Sequence, residues 1–281
     1  MIATSALAAS TTPATTALSP TLPTAMVEID NLDVTFGSGR HATQVLHGIS
    51  ARVETGRTVG IVGESGSGKS TLAKALVGFV RPSAGRISIE GTDISRLTGR
   101  QRSDLRRTVQ LIPQDPYSSL DPRRTIGQAL AEAVDPDRAG VGKHRDTIAQ
   151  WLATVRMPED SMYRYPHEFS GGQRQRIAIA RGLIVKPRLV IADEITSALD
   201  VSVQAEILNL IARLRAELNL TMLFISHNLA VVRQVSDVVA VMHRGVIVEQ
   251  GTVDQVYENP VHPYTRKLLD SVPGAPGFSI G

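Results

Sequence analysis

Residues 58–72 read Thr58-Val59-Gly60-Ile61-Val62-Gly63-Glu64-Ser65-Gly66-Ser67-Gly68-Lys69-Ser70-Thr71-Leu72, and the architecture turns on them. The run 58–62 is short, apolar and of strand length, and it opens into glycines spaced among small polar residues. Helix formers follow, so 70–80 reads as a helix and the whole as a strand–loop–helix unit. The string 63–70 fits the P-loop pattern, in the position where that pattern works. Its glycines let backbone N–H groups turn inward around phosphate oxygens, and the start of the next helix adds a favourable dipole. The candidate phosphate-binding set is Gly63, Glu64, Ser65, Gly66, Ser67, Gly68, Lys69, Ser70 and Thr71. Lys69 is placed to reach β- and γ-phosphates, and Ser70 to hold Mg²⁺.

Farther along, Leu189-Val190-Ile191-Ala192-Asp193-Glu194 is a second apolar strand, ending in two carboxylates. Such an ending can put Asp193 on the Mg²⁺ shell and Glu194 beside an attacking water. Val203, Ile207, Leu210, Ile211, Leu214 and Leu218 recur at the spacing of one helix face. Residues 87–90, 221–226, 238–242 and 246–249 read as further strands, the first of them half of a hairpin at Gly91. From about 118 to 169 helix formers and loops dominate, as in an inserted helical region. This alternation predicts an α/β fold with a largely parallel sheet covered by helices.

Composition narrows the functional classes. The 281 residues are 42% hydrophobic, enough for one large α/β domain. Lys and Arg number 30 against 27 acids, a net charge of +3 that gives no basic footprint for nucleic acid. With no cysteine, disulfides, thiolate metal sites and cysteine-held iron–sulfur clusters are excluded. The longest apolar runs, 189–192 and 238–242, fall far short of the ~18 residues of a membrane span. A role at a membrane is therefore expected to run through partners. Residues 1–25 are almost wholly Ala, Thr, Ser, Pro and Leu without a charge, and are expected to be a disordered tail, with Met26 a candidate start.

Ser170-Gly171-Gly172-Gln173-Arg174 resembles the signature motif of ABC ATPases, and the resemblance extends over about residues 27–273. It implies a RecA-like P-loop NTPase core with an antiparallel β-subdomain and an inserted helical subdomain at about 118–182. The ATPase domain would cover 26–255 and a C-terminal extension 256–281. Gln114, in Pro113-Gln114-Asp115-Pro116, resembles the Q-loop residue that offers an oxygen to Mg²⁺ or water. Ser197-Ala198-Leu199-Asp200 is similar to the D-loop, and His227 to the switch histidine that bonds the γ-phosphate and holds Glu194 in register. Phe36 is similar to the aromatic that stacks on adenine. By the same resemblance, Ser170, Gly171, Gly172 and Gln173 face the γ-phosphate held by a second ATPase subunit, so that two subunits sandwich two ATP molecules.

The runs 114–122 and 259–265 resemble the oligopeptide/dipeptide/nickel importer group, and 170–176 with 197–204 are closer to its "F" type subunit. That implies a second ABC ATPase subunit as a heterodimer or homodimer partner, two transmembrane permeases and, indirectly, an extracytoplasmic solute-binding protein. The chain would sit at the cytoplasmic face of the membrane. An exporter ATPase uses the same motifs, and a soluble ABC protein on ribosome or DNA would be expected to carry a second P-loop or long coiled coils. The sequence departs from the family in two places: Ile195 stands where proline usually follows the catalytic Glu, and Asn228 where Asp usually follows the switch His. Proline fixes φ, so Ile195 is expected to loosen the loop beyond Glu194.

Overall fold

The computed structural model describes residues 25–271; all but the last residue of the expected tail, and 272–281 of the C-terminal extension, lie outside them. The chain opens with two long strands, β1 (Ala25–Phe36) and β2 (Thr43–Glu54). The decisive unit follows as β3 (Thr58–Val62) and α1 (Lys69–Leu76). Next come β4 (Ala84–Ile89), β5 (Thr92–Asp93), α2 (Gly99–Thr108) and β6 (Val109–Ile112). A helical stretch holds α3 (Ile126–Val134), α4 (Val141–Thr154) and α5 (Gly171–Leu183). The chain then alternates through β7 (Leu189–Asp193), α6 (Val201–Leu218), β8 (Thr221–Ile225), α7 (Leu229–Val235) and β9 (Val238–His243). It ends with β10 (Val246–Thr252), α8 (Val253–Glu258) and α9 (Pro263–Asp270).

Two sheets result. The smaller runs β2-β1-β4-β5 with antiparallel pairing throughout. The larger runs β10-β9-β3-β8-β7-β6, parallel except for the terminal β10. Side-chain alternation along a strand sorts the larger sheet's residues between two cores. Val190, Ala192, Met222 and Phe224 face the core built with α3 to α7. Leu189, Ile191, Leu223 and Ile225 face the other core, with α1, α2 and the small sheet. Burial on both faces is why these strands are continuous apolar runs instead of alternating ones.

The P-loop helix is shorter than the sequence predicts. It ends at Leu76 because Gly78 turns left-handed at φ 73°, leaving Phe79 71% exposed beyond it. The inserted helical region is present as α3 to α5, tied internally by Ile126 N–H to the Arg164 carbonyl at 2.9 Å. Parallel pairing has one consequence for function: β6, β7, β8 and β3 all end on the same edge. The chain leaving those ends carries Gln114, Asp193–Glu194, His227 and the 63–70 loop. The carboxyl edge of an open α/β sheet is where such folds bind ligands.

Candidate active site

The 63–70 loop wraps around its own lysine. Gly63 has φ 156° and lies so close to β9 that a Cβ there would stand 2.1 Å from the Met242 carbonyl oxygen. At the tip, Gly66 (φ 80°) would carry its Cβ into open space, with no atom within 4 Å. Lys69, only 4% exposed, donates from Nζ to the Gly63 carbonyl (2.8 Å) and to the Glu64 carbonyl (2.9 Å). Burial pushes its pKa below the usual lysine value, opposed by the nearby Glu194 and Asp193 charges. Ser67 Oγ is buried without a hydrogen-bond partner among the described residues. A cradle of small residues, an orphaned hydroxyl and a buried ammonium fit a phosphate group, which would supply acceptors to all of them.

The carboxylates stand opposite. Ser70 Oγ donates to Asp193 Oδ1 at 3.2 Å. Asp193 is 9% exposed, and burial holds its carboxyl above the usual range; repulsion from Glu194 adds to this, while Ser70, Lys69 and Lys74 oppose it. Two hard oxygen donors side by side, one of them a buried carboxylate, suit a small divalent cation. Glu194 follows at φ 50°, a left-handed turn fixed by its N–H donating to the Ile225 carbonyl at 2.9 Å. That turn sends its carboxylate back over the loop, Oε1 at 3.9 Å from Lys69 Nζ and Oε2 at 3.2 Å from His227 Nδ1. Because a carboxylate can only accept, His227 donates there with its proton on Nδ1.

Gln114 joins the cluster indirectly. Its Nε2 donates to Ser197 Oγ (3.2 Å), and that hydroxyl donates to the Glu194 carbonyl (2.9 Å). Ser197 thus bridges the loop after β6 and the turn after β7, a part that sequence reading gave it only as one letter of a motif. Phe36 lies at the end of β1, 44% exposed.

Both departures have a physical account. Ile195 is 1% exposed within the helical-side core, and the turn is closed by Ser197 N–H to the Glu194 carbonyl at 3.1 Å. The isoleucine side chain is therefore held by packing, so the loop expected to loosen is anchored by its core contact and the closing hydrogen bond. Asn228 caps α7, its Oδ1 accepting from Ala230 N–H (3.1 Å) and Val231 N–H (3.4 Å). Asn and Asp serve about equally well as N-caps.

The signature segment stands apart. Ser170 caps α5 in a reciprocal box: its Oγ accepts from Gln173 N–H (3.3 Å), and Gln173 Oε1 accepts from Ser170 N–H (2.9 Å). Asp200 caps α6 through Val203 N–H at 2.9 Å, a bond that lowers its pKa, with Ser202 Oγ adding to it. Arg174 lies over the Tyr117 ring, 4.1 Å from its centroid, linking α5 to the segment after Gln114. Among the described residues no hydrogen bond or ion pair joins 170–173 to the 63–70 loop. Ser170, Gly171, Gly172, Gln173 and Asp200 are thus not brought to this chain's own phosphate loop.

The chain is similar to known proteins. Residues 46–197 match the family described as ABC transporter, and 248–276 match the oligopeptide/dipeptide transporter C-terminal region. The dipeptide transport ATP-binding protein DppF of Lactococcus lactis is 46% identical over 90% of this chain and 83% of its own length. The oligopeptide transport ATP-binding protein OppF of Streptococcus mutans is 45% identical over 88% and 82%. Among solved structures, the ATP-binding cassette MJ0796, described as a dimeric post-hydrolysis state bound to ADP and Pi, is 25% identical with a TM-score of 0.73, covering 81% of this chain and 99% of that one. The loop, the two carboxylates and His227 gather on one sheet edge, in a chain matched to this family over more than half its length. The chain accordingly belongs to the ABC transporter family, as an ATP-binding and ATP-hydrolysing subunit.

Proposed function

We propose that this subunit powers peptide uptake across a membrane, and that Lys69, Glu194 and His227 are its catalytic centre with Gln114 as the sensing residue. The reading is carried by the Glu194 carboxylate, held between Lys69 and His227 one residue beyond a buried Asp193 that already bonds Ser70. Backbone N–H groups of 63–71 cradle the phosphates, Phe36 stacks on adenine, and Lys69, held by the Gly63 and Glu64 carbonyls, turns its third ammonium N–H to a phosphate oxygen. Phosphate charge then favours the ammonium that burial disfavours. When bound, Mg²⁺ held by Ser70, Asp193 and Gln114 supplies positive charge to the β- and γ-phosphates. Glu194 orients a water in line with the γ-phosphorus and takes its proton as the new P–O bond forms. The bond to the β–γ bridging oxygen breaks, leaving ADP and inorganic phosphate. His227 keeps Glu194 in register and bonds the γ-phosphate.

Ser170, Gly171, Gly172, Gln173 and Asp200 act in trans, on ATP held by a second ATPase subunit. Peptide as the transported class is supported by the names of the relatives and by the match over 248–276. Among the described residues no helix is long and apolar enough to cross a membrane, so two permease subunits hold this chain at the cytoplasmic face. A solute-binding protein acts on the far side. Affinity purification from the native membrane should recover permeases, a second ATPase and a binding protein. Permeases without any binding protein, in an assembly that moves solute outward, would overturn import. Lys69→Ala should weaken ATP binding and nearly abolish hydrolysis in a folded chain, and unchanged hydrolysis would remove the phosphate loop from the mechanism.

A further inference from the structure

The peptide group between Gly63 and Glu64 is gripped on both sides. Its carbonyl oxygen accepts from Lys69 Nζ at 2.8 Å, and its N–H donates to the hydroxyl of Tyr264 at 3.2 Å, from a residue 200 positions away on α9. Rotating that peptide plane would break both bonds at once. Tyr264 is itself held. Its ring lies against His243 at the end of β9, the centroids 3.9 Å apart. Its backbone N–H donates to His262 Nδ1 at 3.1 Å, and the start of α9 is tied to β10 by Glu249. One oxygen of that carboxylate accepts from Val261 N–H (2.8 Å) and the other from His262 N–H (3.0 Å). A continuous chain of contacts therefore runs from β10 through α9 to the peptide whose carbonyl aims the phosphate-binding lysine.

We infer that Tyr264 is a positioning residue for nucleotide binding, its hydroxyl holding the Gly63–Glu64 peptide in the orientation that presents Lys69 to phosphate. The C-terminal segment is then a working part of the nucleotide site. This rests on the assignment of 63–70 as the phosphate loop. Tyr264→Phe keeps the ring on His243 and removes only the acceptor. The loss of one hydrogen bond should weaken binding of the fluorescent nucleotides mant-ATP and mant-ADP alike, by about two- to tenfold. KM for ATP should rise in proportion, with kcat within about twofold of the parent and the melting temperature of the nucleotide-free chain lowered by no more than about 2–6 °C. Glu249→Gln, which leaves one of two acceptors, should reproduce part of the loss. Because it acts through Tyr264, the double variant should bind no more weakly than Tyr264→Phe alone. Wild-type affinity in Tyr264→Phe overturns the inference, as does a double variant in which the two losses multiply. Lys69→Ala separates the failures: if it too binds normally, the phosphate-loop assignment falls; if it loses binding while Tyr264→Phe does not, only the role of Tyr264 falls.

Discussion

At the 63–70 loop Lys69 and Asp193 are 4% and 9% exposed and burial works against the charge of each, whereas at the start of α5 Ser170 and Gln173 lie at the surface and satisfy each other's backbone N–H groups. Among the described residues Ser67 Oγ, in the first region, has no partner; the Asp200 carboxylate, in the second, has two. The first region is thus electrostatically incomplete, as a site awaiting a phosphate would be. The second is already a finished pair of helix caps, and what it lacks is a surface to face. On the proposed function the contrast is between binding within one chain and binding between chains, and substitutions can attack the two independently.

The largest effect should come from Glu194→Gln, which removes charge and basicity from the first region while keeping its shape. Hydrolysis should fall by roughly a hundredfold or more with ATP binding retained, and the ATP-bound form, with its partner subunit if the pair is heteromeric, should accumulate as a dimer by light scattering. Wild-type turnover would take Glu194 out of the mechanism. Ser170→Arg attacks the second region. Added to Glu194→Gln it should abolish that dimer while costing only about 1 kcal/mol, the worth of a lost N-cap. A dimer that persists would break the assignment of the second region as an interface.

Asp193→Asn sharpens the comparison through stability. Burial raises the folded pKa of Asp193 above its unfolded value, so its ionisation begins to oppose folding as pH rises past the unfolded value and does so fully above the folded one. At neutral pH the nucleotide-free Asn variant should melt higher, by about 2–4 °C for each kcal/mol of desolvation relieved, yet bind Mg–ATP more weakly. The stability gap should shrink as pH falls through the folded pKa and vanish below the unfolded one. A lower melting temperature at neutral pH would show that Asp193 belongs with the self-satisfied groups. The smallest effect is expected for Asn228→Asp, which exchanges one good cap for another and should shift stability by no more than about 0.5 kcal/mol. A loss of several degrees would mean Asn228 does more than cap α7.

What could be read in the sequence was what lies contiguous in it. The P-loop, the strand ending in Asp193–Glu194 and the two-sided apolar strands carry their signal within a few residues. By contrast α2 escaped, because Arg-Gln-Arg-Ser-Asp-Leu-Arg-Arg buries only Leu105 and leaves no apolar stripe. The length of β2 escaped too, since it buries only three of its twelve residues. The Ser197 bridge and the Tyr264 contact join positions 83 and 200 residues apart, and no local pattern announces them. The motif that holds Tyr264 was legible as family wording; its contact with the loop was not.

The left-handed turn at Glu194 bears on how such a chain can change over generations. At φ 50° an ordinary side chain costs roughly 1–2 kcal/mol, a cost largely avoided by Gly and eased for Asn and Asp. On the proposed mechanism Glu is kept there for its chemistry, against the preference of its own backbone. Once turnover is no longer selected, Gly and Asn become replacements that relax the turn and silence the reaction together, while Lys69, Ser70 and the core stay as they are. Relief of the turn would then offset what Lys69 and His227 lose with the carboxylate between them. Drift that silences this position should therefore leave the fold intact.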